Sequence, residues 1–388
     1  MSKGLFQLFA RTVHGIEWIA ASEIESHFSA TITDIQHREI RFSVNQLERG
    51  LLNLGSIDDV FLKCKLIKGL DHTRATLPIL GNQSVDMDFS RMISSLRSLR
   101  NIPQKPTFDV IASFLGRRNY NRFEIEDIIG SSIAKAMRWK YSPQREKNSP
   151  SINISFRIHL TGNEAILGVR LSEMPLHRRA YKQGSRTGTL HPPLAFAMGL
   201  IASLKTHDIV LDPFCGVGTI PIEVLRIKPD IEQSIGIDID AESINKAAEN
   251  ALIAKVLPTF LRADAGRLPF GDGAINKIIS NPPWGKAVEA KGHLKEDFKP
   301  FFRELERITR HDSRIILLNS IGKSDFQMYS RDKFNVLFSI PVSLFGSWAE
   351  ISLLTKESAE KLFFNEYLNK YWQLRSSIES KTTAKAGM

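Results

Sequence analysis

The chain has 388 residues, enough for two or three domains, and its 42% hydrophobic and 24% charged content excludes a disordered or fibrous polymer. Two distant cysteines, Cys64 and Cys215, make no disulfide framework and no CxxC or His/Cys zinc pattern, so no metal is expected. The net charge of +10 favours a polyanionic partner, while no apolar run reaches the ~18 residues of a membrane span.

The opening, "MSKGLFQLFARTVHG", lacks the apolar core and cleavage pattern of a signal peptide, so a cytoplasmic location is expected, with a monomer as the default state. To about Gly55 the chain reads strand, helix, strand, helix: "LFQLFAR", "GIEWIAASEIESHF", "REIRFSV" and "NQLERGLLNLGS". From Ser56 to Ser172 comes a strand, "VFLKCKLIKGL", then a helix, "MDFSRMISSLRSL", with Ser90 or Asp88 as its cap. A strand "TFDVIASFLG" follows, then a basic loop "RRNYNR" and a helix "FEIEDIIGSSIAKAM". "INISFRIHL" and "EAILGVRL" close this region as a hairpin turned by "TGNE". The basic stretch "HRRAYKQGSR" lies in the connection that follows.

From Thr189 the pattern alternates strand and helix, which predicts a doubly wound parallel sheet. "PPLAFAMGLIASL" is a helix opened by proline. "DIVLDPFCGVGTIPIEVLRI" is strand, glycine loop and helix, and "QSIGIDIDAESINKAAENALIA" repeats that order. "TFLRAD" and "KIISN" are short strands, and "FKPFFRELERITR" is a helix. "SRIILLN" is a further strand, and "FNVLFSIPVSL" with "AEISLLTK" can pair antiparallel. The expected boundaries are 1–55, 56–172, a linker 173–188, a catalytic domain 189–375, and a polar, disordered tail 376–388.

Four polar residues stand at successive strand ends in this last region: Asp212, Asp238, Asp264 and Asn281. That edge is where open α/β sheets bind ligands. Gly216 and Gly218 let the backbone approach a ligand, but no lysine follows them, so this is no P-loop. Asp212 disfavours a phosphate there and suits a cationic amino-acid group. Asp238 is placed to bind ribose hydroxyls and Asp264 to accept from an adenine amine. After Asn281 come two prolines and a tryptophan, "NPPWG". The prolines remove two N–H donors, which leaves rigid carbonyls beside the flat face of Trp284, a set suited to a planar group carrying an amine.

In this order and spacing "DPFCGVGT", "GIDID", "RADA" and "NPPWG" resemble the S-adenosylmethionine-dependent methyltransferases of Rossmann-like fold, over roughly the last half of the chain. "ARTVHGIEWIAASEIESHF", "FDVIASFLGRRNYNRFEIEDIIGSSI" and "LGVRLSEMPLHRRAYKQG" resemble RNA methyltransferases that carry a THUMP domain behind a small ferredoxin-like domain. The implied fold is α/β: a class I methyltransferase domain with a seven-stranded, mostly parallel sheet, preceded by an α+β ferredoxin-like and THUMP region. The implied cofactor is S-adenosylmethionine, held by Asp212, Phe214, Gly216, Gly218, Thr219, Asp238, Ile239, Asp264, Ala265 and Asn281. The implied activity is methyl transfer to guanosine N2 in tRNA, with Asn281, Pro282, Pro283 and Trp284 as the catalytic set. Arg117, Arg118, Arg122, Arg178, Arg179, Lys182 and Arg186 are the expected RNA contacts.

Guanine N2 has its lone pair delocalised into the ring, and carbonyl acceptors for its hydrogens make it nucleophilic. The Asn281 side-chain oxygen and the Pro282 carbonyl are the expected acceptors, with Trp284 stacked on a flipped base. Cys215 sits inside the glycine loop, which excludes a cysteine-adduct mechanism. Large-subunit rRNA is an alternative substrate. A DNA adenine-N6 or protein-glutamine methyltransferase shares the NPP-aromatic pocket, and a non-catalytic RNA-binding protein is the alternative outside enzymes.

Overall fold

The computed structural model describes residues 5–145, 151–183, 188–283, 289–319, 333–344 and 346–356. Trp284, Arg186 and the tail 376–388 lie outside the described residues. The chain divides into two compact units: Met1–Arg11 with Ile24–Leu176, and Thr12–Glu23 with His177–Met388.

The first unit is an α+β body on one eight-stranded sheet. Its strands are β1 (Phe6–Arg11), β2 (Thr31–Gln36), β3 (Glu39–Val44), β4 (Asp59–Ile67), β5 (Thr107–Phe114), β6 (Lys140–Tyr141), β7 (Ile154–Thr161) and β8 (Glu164–Arg170). Their order is β2-β3-β1-β4-β8-β7-β5-β6. The regions read as 1–55 and 56–172 share this sheet, because β1 pairs antiparallel with β4 in the register Phe9↔Phe61. Helix α1 (Glu17–Phe28) enters this unit at Ile24, and α2 (Thr76–Val85), α3 (Phe89–Leu99) and α4 (Arg122–Met137) complete it. Asp88 caps α3 by accepting from the Arg91 N–H, and a capping box of Asn121 and Glu124 starts α4. Ile125, Ile129 and Ile133, spaced by four on α4, are fully buried.

One local expectation changes. "NQLERGLLNLGS" is reduced to a single 3-10 turn, Arg49–Asn53, with Gly50 inside it. Helix α2 was not foreseen, nor was β2.

The second unit has a seven-stranded sheet. In chain order it runs α5 (Pro192–Ala202), β9 (Ile209–Asp212), α6 (Thr219–Ile227), β10 (Gln233–Asp238), α7 (Ala241–Ala254), β11 (Thr259–Arg262), β12 (Ile275–Ser280), α8 (Lys299–Ile308), β13 (Thr309–Asn319), β14 (Asn335–Leu344) and β15 (Ser347–Thr355). The sheet order is β11-β10-β9-β12-β13-β15-β14, and β15 alone runs against the rest. This is the expected Rossmann-like class I methyltransferase architecture.

Successive residues of the parallel strands serve opposite faces. Val210, Ile279 and Ile316 join one buried cluster with α5 and α6, while Leu211, Ile278 and Ile315 join another with α8. Burial on both faces is why these strands read as continuous apolar runs rather than alternating ones.

Residues 12–23, read from the sequence as part of an N-terminal domain, pack in this second unit. Val13 and Ile16 enter the α5–α6 cluster, and Ser343 on the edge strand β14 donates its N–H to the His14 carbonyl at 3.0 Å.

Candidate active site

Because β9, β10, β11 and β12 are adjacent and parallel, their carboxyl ends open on one edge of the sheet. Asp212 is the last residue of β9 and Asp238 the last of β10. Asp264 lies two residues beyond β11, and Asn281 directly follows β12. The four residues read as strand-end groups are thereby brought together around a cavity of about 370 Å3.

Asp212 is buried. Its Oδ1 accepts from the Ser280 hydroxyl at 2.6 Å and from the Phe214 N–H at 3.1 Å. Burial pushes its pKa up to about 7, and the nearby Asp238 charge pushes the same way against those hydrogen bonds. Asp238 organises the turn: Oδ2 accepts from the Gly216 N–H and Oδ1 from the Asp240 N–H, both at 2.9 Å. Gly218 caps α6 at φ 82°, where an added Cβ would lie 2.9 Å from the Phe260 ring, so a side chain is excluded both by conformation and by packing. Cys215 is buried and its thiol pKa is driven far up, first by burial and then by Asp212, so it offers no thiolate for an adduct.

Asp264 Oδ1 accepts from the Gly266 N–H at 2.8 Å. Oδ2 accepts from both the backbone N–H and the Nδ1 of His293, each at 2.9 Å. Partial burial pushes the carboxyl up, but these donors outweigh it and hold the pKa below the usual value. Asn281 Nδ2 donates to the Gly188 carbonyl at 3.4 Å, which fixes the amide and leaves Oδ1 as its acceptor end.

Of the expected cofactor residues, Asp212, Phe214, Gly216, Thr219, Asp238, Ile239, Asp264, Ala265 and Asn281 line the cavity, and Gly218 stands behind it against Phe260. Pro282 and Pro283 line it too, whereas Trp284 lies outside the described residues. Sequence reasoning missed Ser280, the partner of Asp212, and the cavity-lining segments Gly188–Leu190 and Glu289, Lys291 and Leu294. The serine directly before "NPP" was the available signal for the first, while Gly188–Leu190 straddles the expected linker boundary and 289–294 carries no motif.

The basic residues divide. Arg117 and Arg122 in the first unit are exposed, the latter with its guanidinium 4.7 Å from the Phe123 ring. Arg118 is taken up by structure: it donates to the carbonyls of Asp71 and Gly162 and to the Tyr120 hydroxyl. In the second unit Arg178 is exposed. Arg179 is not available to RNA, because it is 7% exposed and pairs at 3.0 Å with fully buried Glu223. Tyr181 donates its hydroxyl to the same carboxylate at 2.7 Å. Lys182 donates to the Leu190 carbonyl at 2.9 Å. Both side chains bind the connection onto the catalytic unit instead of presenting charge.

Among the described residues no group of three or more His, Cys, Asp or Glu side chains is arranged to hold a metal, and no helix is long and apolar enough to cross a membrane.

Comparison with known proteins adds five findings. Residues 179–335 match the UPF0020 family, described as an RMKL-like methyltransferase domain. A tRNA (guanine(6)-N2)-methyltransferase of Archaeoglobus fulgidus is 24% identical over 349 residues, 81% of this chain and 83% of that one. A U6 snRNA (guanine-N(2))-methyltransferase THUMPD2 of Bos taurus is 31% identical over 199 residues, 51% of this chain and 37% of that one. The crystal structure of TrmN from Thermus thermophilus superposes with a TM-score of 0.74 at 24% identity, covering 91% of this chain and all of the other. A putative methyltransferase, SMU.472, complexed with SAH, shares the fold at a TM-score of 0.67 and 15% identity, covering 92% and 100%.

Proposed function

We propose that the chain, whose residues 179–335 match an RMKL-like methyltransferase domain, uses S-adenosylmethionine to methylate the exocyclic N2 of a guanosine in tRNA. One observation carries the choice of atom: Asn281, its amide nitrogen tied to Gly188, stands with Pro282 and Pro283 on the wall of the cavity that Asp212 and Asp238 also line. An acceptor pair there fits an amine with two hydrogens. Relatives that differ in their RNA, tRNA in one case and U6 snRNA in the other, are both named for guanine N2.

The cavity fits the cofactor. Asp212 offers a buried carboxylate to a cationic amino-acid group, and Asp238 retains acceptor capacity for ribose hydroxyls after its two backbone contacts. Thr219 Oγ1 on the wall is buried with no hydrogen-bond partner, a donor that a ligand can use. When bound, the cofactor supplies an electrophilic methyl on a sulfonium.

The chain's own residues then have three tasks. Asn281 Oδ1 and the Pro282 carbonyl accept the two N2 hydrogens, which localises the nitrogen lone pair. Trp284 is assigned the stacking role on sequence grounds, holding a base taken out of its stack at a cost of about a few kcal/mol. Exposed Arg117, Arg122 and Arg178 meet RNA phosphates, with the THUMP-like first unit as the gripping element. As the N–C bond forms and the S–C bond breaks, N2 becomes strongly acidic and gives up one of its two hydrogens through its acceptor to solvent, so catalysis rests on alignment and electrostatics and no strong base is needed.

The test is mass spectrometry of nucleosides from unmodified tRNA incubated with the protein and S-adenosylmethionine. N2-methylguanosine is the expected product. Methyladenosine, or methylation of rRNA fragments but not tRNA, would refute this assignment.

A further inference from the structure

The segment after the acceptor motif closes one wall of the cavity through Glu289, Lys291 and Leu294. It is fastened at one carboxylate. Asp264 Oδ2 receives two hydrogen bonds from His293, one from its backbone and one from its ring. Gly292 makes that approach possible: it lies at φ 63°, and a Cβ there would stand 1.9 Å from the same Oδ2 and 2.9 Å from the Ile239 side chain. No other residue type fits at Gly292 without breaking the fastening.

The hydrogen bonds also divide the carboxylate. Oδ2 is filled by two donors, and Oδ1 has one donor, the Gly266 N–H, out of two lone-pair positions. Asp264 lines the cavity, so the remaining acceptor position on Oδ1 is the one available to a ligand. We infer that Gly292 and His293 are positioning residues that lock Asp264 in the orientation that reads the 6-amino group of the cofactor's adenine. They act through Asp264 and touch neither the methyl nor the base. The inference rests on assigning S-adenosylmethionine to this cavity, but not on the identity of the methylated RNA.

The test is equilibrium binding by calorimetry on the full chain, with two probes: S-adenosylhomocysteine and its analogue with an unsubstituted 6-position on the purine. Wild type should prefer the amino form. His293→Ala should weaken S-adenosylhomocysteine about tenfold, as expected for a lost hydrogen bond to a charged group, and leave the analogue nearly unchanged. His293→Asn should restore the preference, because the asparagine amide nitrogen occupies the place of Nδ1, and His293→Gln should not. Gly292→Ala should behave as His293→Ala or worse. Equal weakening of both probes would show a merely structural clasp and overturn the inference, as would a His293→Ala protein with unchanged preference. A wild type that binds neither probe would overturn the cofactor assignment beneath it.

Discussion

The hydroxyl of Ser280 donates to Asp212 Oδ1 across 2.6 Å, joining the last residue of β12 to the last residue of β9 inside the sheet edge. A neutral hydroxyl thus meets a carboxylate that burial has pushed up to about 7. In the ligand-free protein, the folded state holds this proton more tightly than the unfolded state. The stability it contributes is full below about pH 4 and is lost as pH rises through about 7.

A ligand ammonium reverses that preference. Affinity for S-adenosylhomocysteine should rise between pH 6 and 8, with about one proton released per molecule bound near pH 6. Calorimetry in buffers of differing ionisation enthalpy measures the release directly. Asp212→Asn should bind weakly and without pH dependence, and a pH-independent wild type would sink the role given to Asp212.

Asn281→Ala should slow single-turnover methylation by about two to three orders of magnitude, the cost of removing one preorganised hydrogen-bonding group from a reacting centre. Binding of tRNA and of S-adenosylhomocysteine, followed separately, should change little. Asn281→Asp probes the orientation. It keeps an oxygen but loses the Nδ2 donor to Gly188, so its rate should stay near that of the alanine variant. A fully active aspartate variant would show that the contact with Gly188 orients nothing.

Glu223 is fully buried and holds Arg179 and Arg226 together with Tyr181. Glu223→Ala removes the buried carboxylate shared by Arg179, Arg226 and Tyr181, so a loss of about 3–5 kcal/mol in urea unfolding is expected. Restoring packing with the double change Glu223→Leu, Arg179→Met should recover most of it. A Glu223→Ala protein as stable as wild type would contradict this reading of the pair.

The cations expected to meet RNA separate by the same logic. Arg117→Ala, Arg122→Ala and Arg178→Ala should each weaken tRNA binding without altering stability, and each should lower the slope of log affinity against log salt by about 0.7–0.9. Arg118→Ala and Arg179→Ala should lower the unfolding midpoint and leave the salt slope alone. Filter binding across a salt series, set beside thermal unfolding, distinguishes the groups. A slope unchanged in all three exposed variants would remove them from the interface.

The catalytic edge was legible in the chain because parallel strands buried on both faces leave apolar runs, and a polar residue that ends each run has nowhere to go but the sheet edge. Asp212, Asp238 and Asn281 could be placed on that ground alone. What could not be read was the reverse case, in which a breaker residue makes a close contact. Helix α2 carries Pro78 in its first turn and Gly81 in its middle, so "TLPILGNQSV" carries no clean helical signal. In the fold, Gly81 admits α4: a Cβ there would lie 2.9 Å from Ser132 Oγ. Charge misled in the same way. Arg179 looks identical to Arg178 in the sequence, and only the burial of Glu223 across the second unit separates a staple from a surface cation.

The seating of residues 12–23 against the edge of β14 has a consequence for how this protein can be cut or recombined. A fragment beginning at residue 177 would lack the strand-like cover on Ser343 and the Val13 and Ile16 side chains of its own core. Its bare β14 edge would be a template for pairing with other chains. The catalytic unit is therefore discontinuous in the gene. A working excision has to carry residues 12–23 back in, for example by a short graft or a circular permutation. Exchange of the first unit between homologues requires three crossovers, two around residues 12–23 and one after residue 176, where a simple tandem arrangement would need only the last.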